Sequence, residues 1–86
     1  MIRLSRYFKL LEQKNMKDGH FVEKNQKLLY LCTEDNKNLV RTIDNTSIVR
    51  LFWVNDTEIE LLEEKNEEWS DEMLALLSKE QTGEWL

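Results

Sequence analysis

The residues of this chain that could do chemistry are few, and their spacing matches no catalytic or metal-binding pattern. His20 is the only histidine and Cys32 the only cysteine, and twelve positions separate them. A structural zinc site needs several ligands in spaced pairs, and a general base needs a nucleophile beside it. The glycines Gly19 and Gly83 are isolated, which excludes a glycine-rich phosphate loop. The sequence therefore predicts a protein that is not an enzyme, with no metal site and no cofactor.

Carboxylates are the most concentrated polar groups, and most of them lie late in the chain. Residues 1–54 hold ten Lys and Arg against six Asp and Glu, whereas residues 55–86 hold two Lys against eleven acids. The segment EIELLEEKNEEWSDEM, residues 58–73, has eight acids in sixteen positions. Such asymmetry indicates either an acidic interaction surface or a basic half that binds polyanions.

The acidic segment carries the main functional hypothesis. In a helix, one charge on every second residue would be spaced by about 3 Å, and a DNA strand carries one about every 3.4 Å. We therefore expect a non-catalytic interaction protein that docks on a basic surface of a partner, such as a nucleic-acid-binding groove, and inhibits or regulates that partner. Exposed tryptophans would anchor the contact. The expected contact residues are Glu58, Glu60, Glu63, Glu64, Glu67, Glu68, Asp71 and Glu72, with Trp69 and Trp85.

Two purely structural interpretations of the acidic residues and two alternative functions are also consistent with the sequence. The acids could form a solvated strand edge that discourages aggregation, or they could pair with the basic half of the same chain. Alternatively, the basic half could bind single-stranded nucleic acid beside its aromatic residues. The arginines of that alternative are Arg3, Arg6, Arg41 and Arg50. A third functional class is a homodimer that closes on an exposed sheet face or on the Trp85-Leu86 tail.

Strand-forming residues alternate with short polar turns through the middle of the chain. Apolar and β-branched runs at 27–33, 39–43, 47–54 and 57–62 are separated by Asn- and Asp-rich breaks. Short connections favour antiparallel neighbours, so residues 39–62 are predicted to form a three-stranded meander. The run 47–54 is apolar on both faces, which predicts a central strand that is covered on both sides. Ile59 and Leu61 are expected to point inward from an edge strand.

The last predicted element is a helix after Ser70. Ser70 is a suitable N-cap, and Asp71 and Glu72 would interact favourably with the helix dipole in the first turn. Trp69 is expected to pack on Leu74 as a hydrophobic staple. Met73, Leu76 and Leu77 form the apolar stripe, and Gly83 suits the position after the helix.

The N-terminal segment is the ambiguous one. Residues 5–18 are rich in Leu, Lys, Glu and Gln and have no Val, Ile or Thr, which favours a helix. The predicted fold is therefore one α+β domain over residues 1–86, with a four- or five-stranded antiparallel sheet between an N-terminal and a C-terminal helix. If the segment is a strand, Asp18-Gly19 becomes a hairpin turn, and the alternative is a small SH3-like or OB-like barrel with one C-terminal helix.

The sequence also bears on location and origin. No apolar run reaches the roughly 18–20 residues that span a bilayer, and residues 1–14 lack the apolar region of a signal peptide. We therefore expect a cytoplasmic protein. Small acidic inhibitors of the expected kind would suit a phage or another mobile element.

Overall fold

A computed structural model describes residues 1–43 and 50–80, the last five of these by their backbone alone. Its main feature is a five-stranded antiparallel sheet with the strand order β6-β5-β4-β1-β7, beside a two-stranded arm formed by β2 and β3. The elements are β1 (Ile2–Leu10), β2 (Lys14–Asn15), β3 (Phe21–Val22), β4 (Lys27–Glu34), β5 (Lys37–Thr42), β6 (Leu51–Val54), a 3₁₀ turn (Asp56–Glu58), β7 (Ile59–Glu68) and α1 (Asp71–Glu80).

The predicted N-terminal helix is wrong, because Ile2–Leu10 forms strand β1 inside the sheet. Its ladder with β7 runs from the Ile2–Glu68 pair to the Leu10–Ile59 pair. Helix propensities differ by at most about 0.7 kcal/mol per residue among ordinary residues. Pairing on both sides, together with burial of alternate side chains, outweighs that preference.

After β1 the chain forms the two-stranded arm. Its turn lies at Asp18-Gly19, as predicted for the case in which the N-terminal segment is a strand. The Met16 N–H donates to the His20 carbonyl over 2.7 Å, and the Asp18 carboxylate accepts the His20 N–H over 3.0 Å. Gly19 has a φ of +89°, which residues with a Cβ adopt at a cost. The turn is therefore confirmed, but the described strands do not close into a barrel.

Strands β4 and β5 form the hairpin that the runs 27–33 and 39–43 predicted. Their two-residue turn consists of Asp35 and Asn36, with φ angles of +51° and +65°. Asn and Asp tolerate this left-handed conformation, which matches the twist of a tight hairpin.

The predicted meander is only half correct. Strand β6 pairs with β5, but β7 pairs with β1 at the opposite edge, so β6 is an edge strand and not a central one. The 3₁₀ turn redirects the chain: the Asn55 N–H donates to Oε1 of Glu58 over 3.0 Å, and the Leu11 N–H donates to the Glu58 carbonyl over 2.9 Å. Residues 47–49 of the predicted strand lie outside the described residues.

The sheet is covered on both faces, as the apolar pattern of 47–54 indicated. On the face that we call the helix face, Tyr7, Leu29, Leu31, Leu39 and Trp69 pack with Met73 and Leu74 of α1. On the opposite face, the cluster contains Leu10, Val22, Leu28, Val40, Phe52, Val54 and Ile59, and Phe8 and Met16 pack against it. The arm, through Val22 and Met16, provides the cover that the N-terminal helix was expected to give.

Helix α1 begins as predicted. The Ser70 hydroxyl accepts the Met73 N–H over 3.2 Å, which confirms the cap. Trp69 and Leu74 pack in the same cluster, as expected for the staple. The structure does not describe the side chains of Leu76 and Leu77 or the residue Gly83. Within residues 1–43 and 50–80, no helix is long and apolar enough to cross a membrane.

Candidate interaction surface

The predicted acidic residues lie mostly on β7, the longest strand of the sheet and one of its two edges. The register divides them between the two faces. Glu63 and Glu67 stand opposite Tyr7 and Arg3 on the helix face. Glu64 and Glu68 are opposite Arg6 and Ile2 on the other face. The structure therefore brings these glutamates to one strand but not to one continuous patch.

Each glutamate of the strand has a cation of the same chain beside it. Arg6 and Lys9 of β1, Lys27 of β4, Lys65 and the amino terminus supply five positive charges against the five glutamates of β7. The pairs are Glu60–Lys9 at 3.5 Å, Glu63–Lys27 at 3.2 Å, Glu64–Arg6 at 2.8 Å, Glu67–Lys65 at 3.2 Å and Glu68 with the amino terminus at 2.7 Å, and Glu58 of the 3₁₀ turn pairs with Lys14 at 3.1 Å. The pairing of the acidic half with the basic half is therefore confirmed. Exposed pairs of this kind contribute only about 0–1 kcal/mol each, so a partner could replace them.

A hydrogen bond joins β7 to a residue of the core. The Tyr7 hydroxyl donates to Oε2 of Glu67, and Lys27 and Lys65 place their ammonium groups 4.4 and 5.3 Å from the Tyr7 ring centre. Hydrogen bonds from Tyr7 and Ser5 hold the pKa of Glu67 below its ordinary value. Burial, together with the carboxylate of Glu67, raises the pKa of Tyr7.

Other charges of this surface shift in the direction of stronger ionisation. A hydrogen bond from Lys27 lowers the pKa of Glu63. A hydrogen bond to Glu67 raises the pKa of Lys65. Burial alone would raise the pKa of Glu58, but hydrogen bonds from the Asn55 N–H and Lys14 outweigh it and lower the pKa. The surface is thus held in its charged form by its own contacts.

These shifts predict two limits of stability with pH. A carboxylate whose pKa is lowered on folding stabilises the fold above its unfolded pKa, near 4.5 for Glu63 and Glu67, and that contribution is lost as the pH falls through the folded pKa. Tyr7 and Lys65 have raised pKa values, so their contributions are present below pH 10.0 and 10.5 and are lost as the pH rises further. Thermal unfolding midpoints should therefore be flat near pH 7 and fall on both sides.

A matched pair of variants checks the acidic limit. Glu67→Gln should unfold at a lower temperature at pH 7 but lose less on acidification, because it removes a group that gains protons on unfolding. Glu12→Gln, at an exposed position outside the sheet, should follow the wild-type curve. An unchanged acid limb in Glu67→Gln would show that its hydrogen bond with Tyr7 does not contribute to stability.

Strand geometry changes the charge spacing on which the nucleic-acid comparison was based. Residues 59–68 are extended, so the five glutamates from Glu60 to Glu68 span about 26 Å at roughly 3.3 Å per residue. Their mean spacing is about 6.5 Å, against one charge about every 3.4 Å along a DNA strand. The helical estimate is therefore wrong for this segment, whose glutamates are about twice as far apart as the charges of a DNA strand.

The two predicted tryptophan anchors have different outcomes. Trp69 is only 4% exposed, and its indole N–H donates to the Ser5 hydroxyl over 2.9 Å, so it supports α1 and offers no exposed surface. Trp85 lies outside the described residues. The exposed apolar groups of β7 are instead Leu61 and Leu62, each 49% exposed, beside an irregularity in the β1–β7 register. Two adjacent leucines interrupt the alternation of apolar and polar residues in the sequence. This interruption was the feature from which the register irregularity could have been predicted.

Of the four predicted basic residues, the structure brings together Arg3 and Arg6. Both line a cavity of about 300 Å³, together with Leu4, Tyr30, Leu31 and Trp69. The Arg3 guanidinium lies 4.9 Å from the Trp69 ring centre. Arg41 is on β5, and Arg50 pairs with Asp18 of the arm at 3.4 Å. The basic alternative thus retains two of its four arginines at one place.

The two residues that first raised the question of catalysis take ordinary positions. His20 is exposed in the arm, with Nδ1 3.1 Å from Asp18, as expected for a turn histidine. Cys32 is half-buried against the helix-face cluster. No group of three or more potential metal ligands occurs in the described part of the chain. Comparisons with family models, with curated proteins and with solved structures find no match.

Proposed function

We propose that the chain is a non-catalytic interaction module that docks its acidic edge strand β7 on a basic surface of a partner protein and so inhibits or regulates that partner. The observation that carries the proposal is the position of the glutamates: they lie on a ten-residue edge strand, with Leu61 and Leu62 half-exposed among them. An edge strand offers unpaired backbone groups on its outer side, and its side chains project to both faces.

The positions of these side chains support a basic partner surface with an apolar contact within it. Glutamates on both faces of an edge strand can form ion pairs with lysines and arginines on two sides of the strand. Leu61 and Leu62 provide an apolar contact among these glutamates. Each glutamate already has a cation beside it, so binding exchanges one ion pair for another. The additional desolvation of the glutamates in the complex is therefore small. A nucleic-acid-binding groove on the partner, a cytoplasmic location and an origin in a mobile element remain parts of the hypothesis that the sequence supports.

Charge reversal in the middle of β7 tests this proposal. The double variant Glu63→Lys, Glu64→Lys changes one exposed side chain on each face of the strand. It should reduce capture of the partner from lysate of the source cells by about tenfold or more, because like charges across an interface cost several kcal/mol. The measurement is quantitative affinity capture with the wild-type and variant chains at equal concentration.

The matched control is Glu12→Lys, Glu23→Lys, which makes the same charge change at two exposed positions away from the sheet. It should capture the partner as the wild type does. Equal capture by both double variants would show that β7 is only a solvated edge. Binding of generic DNA or RNA by the purified wild type at about 50 mM salt, falling steeply with added salt, would instead support the nucleic-acid alternative at Arg3 and Arg6.

A further inference from the structure

The five-stranded sheet divides between β1 and β4. Within the described residues, their ladder consists of the Lys9–Lys27, Phe8–Leu28 and Tyr7–Leu29 pairs and goes no further. Beyond it, Ile2–Arg6 has register partners on β7 and none on β4 among the described residues, while Tyr30–Glu34 has register partners on β5. We call the space between these two strand halves the fork.

Two features of the chain hold the fork open. The β4–β5 register shifts between Tyr30 and Cys32, and such a bulge bends the strand and increases its local twist at the point where the β1–β4 ladder ends. On the helix face, the Trp69 indole is hydrogen-bonded to Ser5 of β1 and packs in the same cluster as Leu31 of β4. The tryptophan therefore supports both sides of the fork from below without joining their backbones.

The fork contains the 300 Å³ cavity, and the residues around it come from both faces of the sheet. Trp69, Leu31 and Arg3 approach from the helix face, and Leu4, Arg6 and Tyr30 from the other face. A second cavity of about 270 Å³ shares Arg6 and Tyr30 with the first. In that second cavity, the Tyr30 hydroxyl is 2.6 Å from the Thr33 hydroxyl, which donates to Oδ1 of Asn38 over 2.8 Å. The result is a cavity with an apolar floor, an aromatic wall and hydrogen-bonding groups at one end.

The charged groups that line the first cavity are positive, and the second cavity adds the carboxylate of Asp56, which accepts a hydrogen bond from Asn38. Arg3 and Arg6 line the first cavity, and no carboxylate does. Arg6 also pairs with Glu64, but Arg3 is held over the Trp69 ring and has no carboxylate within 4.0 Å among residues 1–43 and 50–80. A guanidinium placed beside an apolar cavity in this way complements a ligand that presents an apolar group next to a carboxylate.

We propose that the fork is a second binding site, which takes an extended acidic peptide segment by strand addition. The peptide backbone pairs with the edge of Ile2–Arg6 that faces the fork and has no ladder with β4 among the described residues. One apolar side chain of the peptide lies over Leu31 and Trp69, and a neighbouring Asp or Glu meets the guanidinium of Arg3. This site does not depend on the function proposed for β7, because its ligand has the opposite charge and lies on the other side of β1.

The structure favours a peptide over a nucleic acid here. Strand addition uses the backbone edge of Ile2–Arg6 that faces the fork, whereas a nucleic acid does not pair with a strand edge. Binding of single strands usually combines a continuous basic groove with stacked aromatic rings. The fork has two arginines, and Glu64 neutralises one of them.

Selection from a random seven-residue peptide library displayed on phage tests the proposal with the full chain as bait. Selected peptides should carry Asp or Glu next to an apolar residue. A synthetic copy of one of them, titrated into ¹⁵N-labelled chain, should shift the backbone amide signals of Leu4, Arg6 and Leu31. Its Kd should rise by about tenfold in Arg3→Gln and stay unchanged in Arg41→Gln, which removes the same charge on β5. N-methylation of alternate peptide amides should abolish the binding.

Other outcomes overturn the proposal. Selection of basic peptides that shift only β7 signals would refute the fork as a peptide site while supporting the function proposed for β7. Amide shifts at the fork on titration with oligo-dT, but with none of the selected peptides, would assign the site to nucleic acid. Tight binding that Arg3→Gln and N-methylation leave unchanged would place the peptide elsewhere on the molecule.

Discussion

Replacement of Trp69 by alanine is expected to lower the free energy of unfolding by about 3–5 kcal/mol, the usual cost of truncating a buried aromatic side chain. Trp69 is 4% exposed, donates to Ser5 and packs with Leu31 on β4. It therefore joins β1, β4 and the start of α1. A chain of this length is expected to have a total stability of roughly 4–13 kcal/mol, so the loss is a large part of it. Urea unfolding followed by circular dichroism measures the change.

The Trp69→Phe variant separates packing from hydrogen bonding. It keeps an aromatic ring but removes the N–H that the buried Ser5 hydroxyl accepts, so its cost should be lower, at about 1–3 kcal/mol. If Trp69→Ala unfolds at the same urea concentration as the wild type, the indole does not hold the helix on the sheet. Trp69 has almost no exposed surface, so it cannot contact a partner directly. We therefore expect partner binding by Trp69 variants to fall only in proportion to the fraction of unfolded protein.

The second large effect is expected for Leu28→Ala. Leu28 is fully buried in the cluster opposite the helix face, where it pairs across the sheet with Phe8 and Thr42. Truncation of a buried leucine costs about 2–5 kcal/mol, because the remaining cavity adds to the lost burial. The midpoint of urea unfolding should fall while the slope of the transition stays the same.

Leu61→Ala is the matched control, since Leu61 is the partner of the same Phe8 on the other side of β1. It is 49% exposed, and the expected change is within about 0.5 kcal/mol. Equal destabilisation by the two substitutions would mean that β7 is covered in solution, which would itself indicate a self-associated chain. Leu61→Ala should then unfold at a midpoint that depends on protein concentration.

The elements that local sequence determines were predictable, and those that depend on distant pairing were not. The β4–β5 hairpin follows from two strand-forming runs and the Asp35-Asn36 turn. The start of α1 follows from Ser70 and the acids after it. Strand β1 could not be inferred in the same way, because its composition favours a helix, whereas its partners β4 and β7 lie about 20 and 60 positions further along.

The same distinction applies to the candidate surfaces. The excess of acid in residues 58–73 is visible in the sequence, but its cations on β1 are not adjacent to it in the chain. Their pairing depends on the β1–β7 register, which no local pattern encodes. Trp69 was expected to be an exposed apolar anchor of the acidic surface, yet Ser5 provides a polar partner that allows its burial. The fork depends on where two strands stop pairing, and so it appears only once the topology is known.

The β1–β7 ladder has a consequence for how the protein is made. On the ribosome, β1 emerges before both of its partners, and the longer of them is complete only when Glu68 has left the exit tunnel. Until then β1 can form its three pairs with β4, while Ile2–Arg6 has no strand beside it. Contacts between such distant residues also close the largest loop of the chain, which slows folding. The nascent chain therefore leaves Ile2–Arg6 without its β7 partner until residues 59–68 have emerged, and fusions that end before β7 should be recognised by chaperones and proteases.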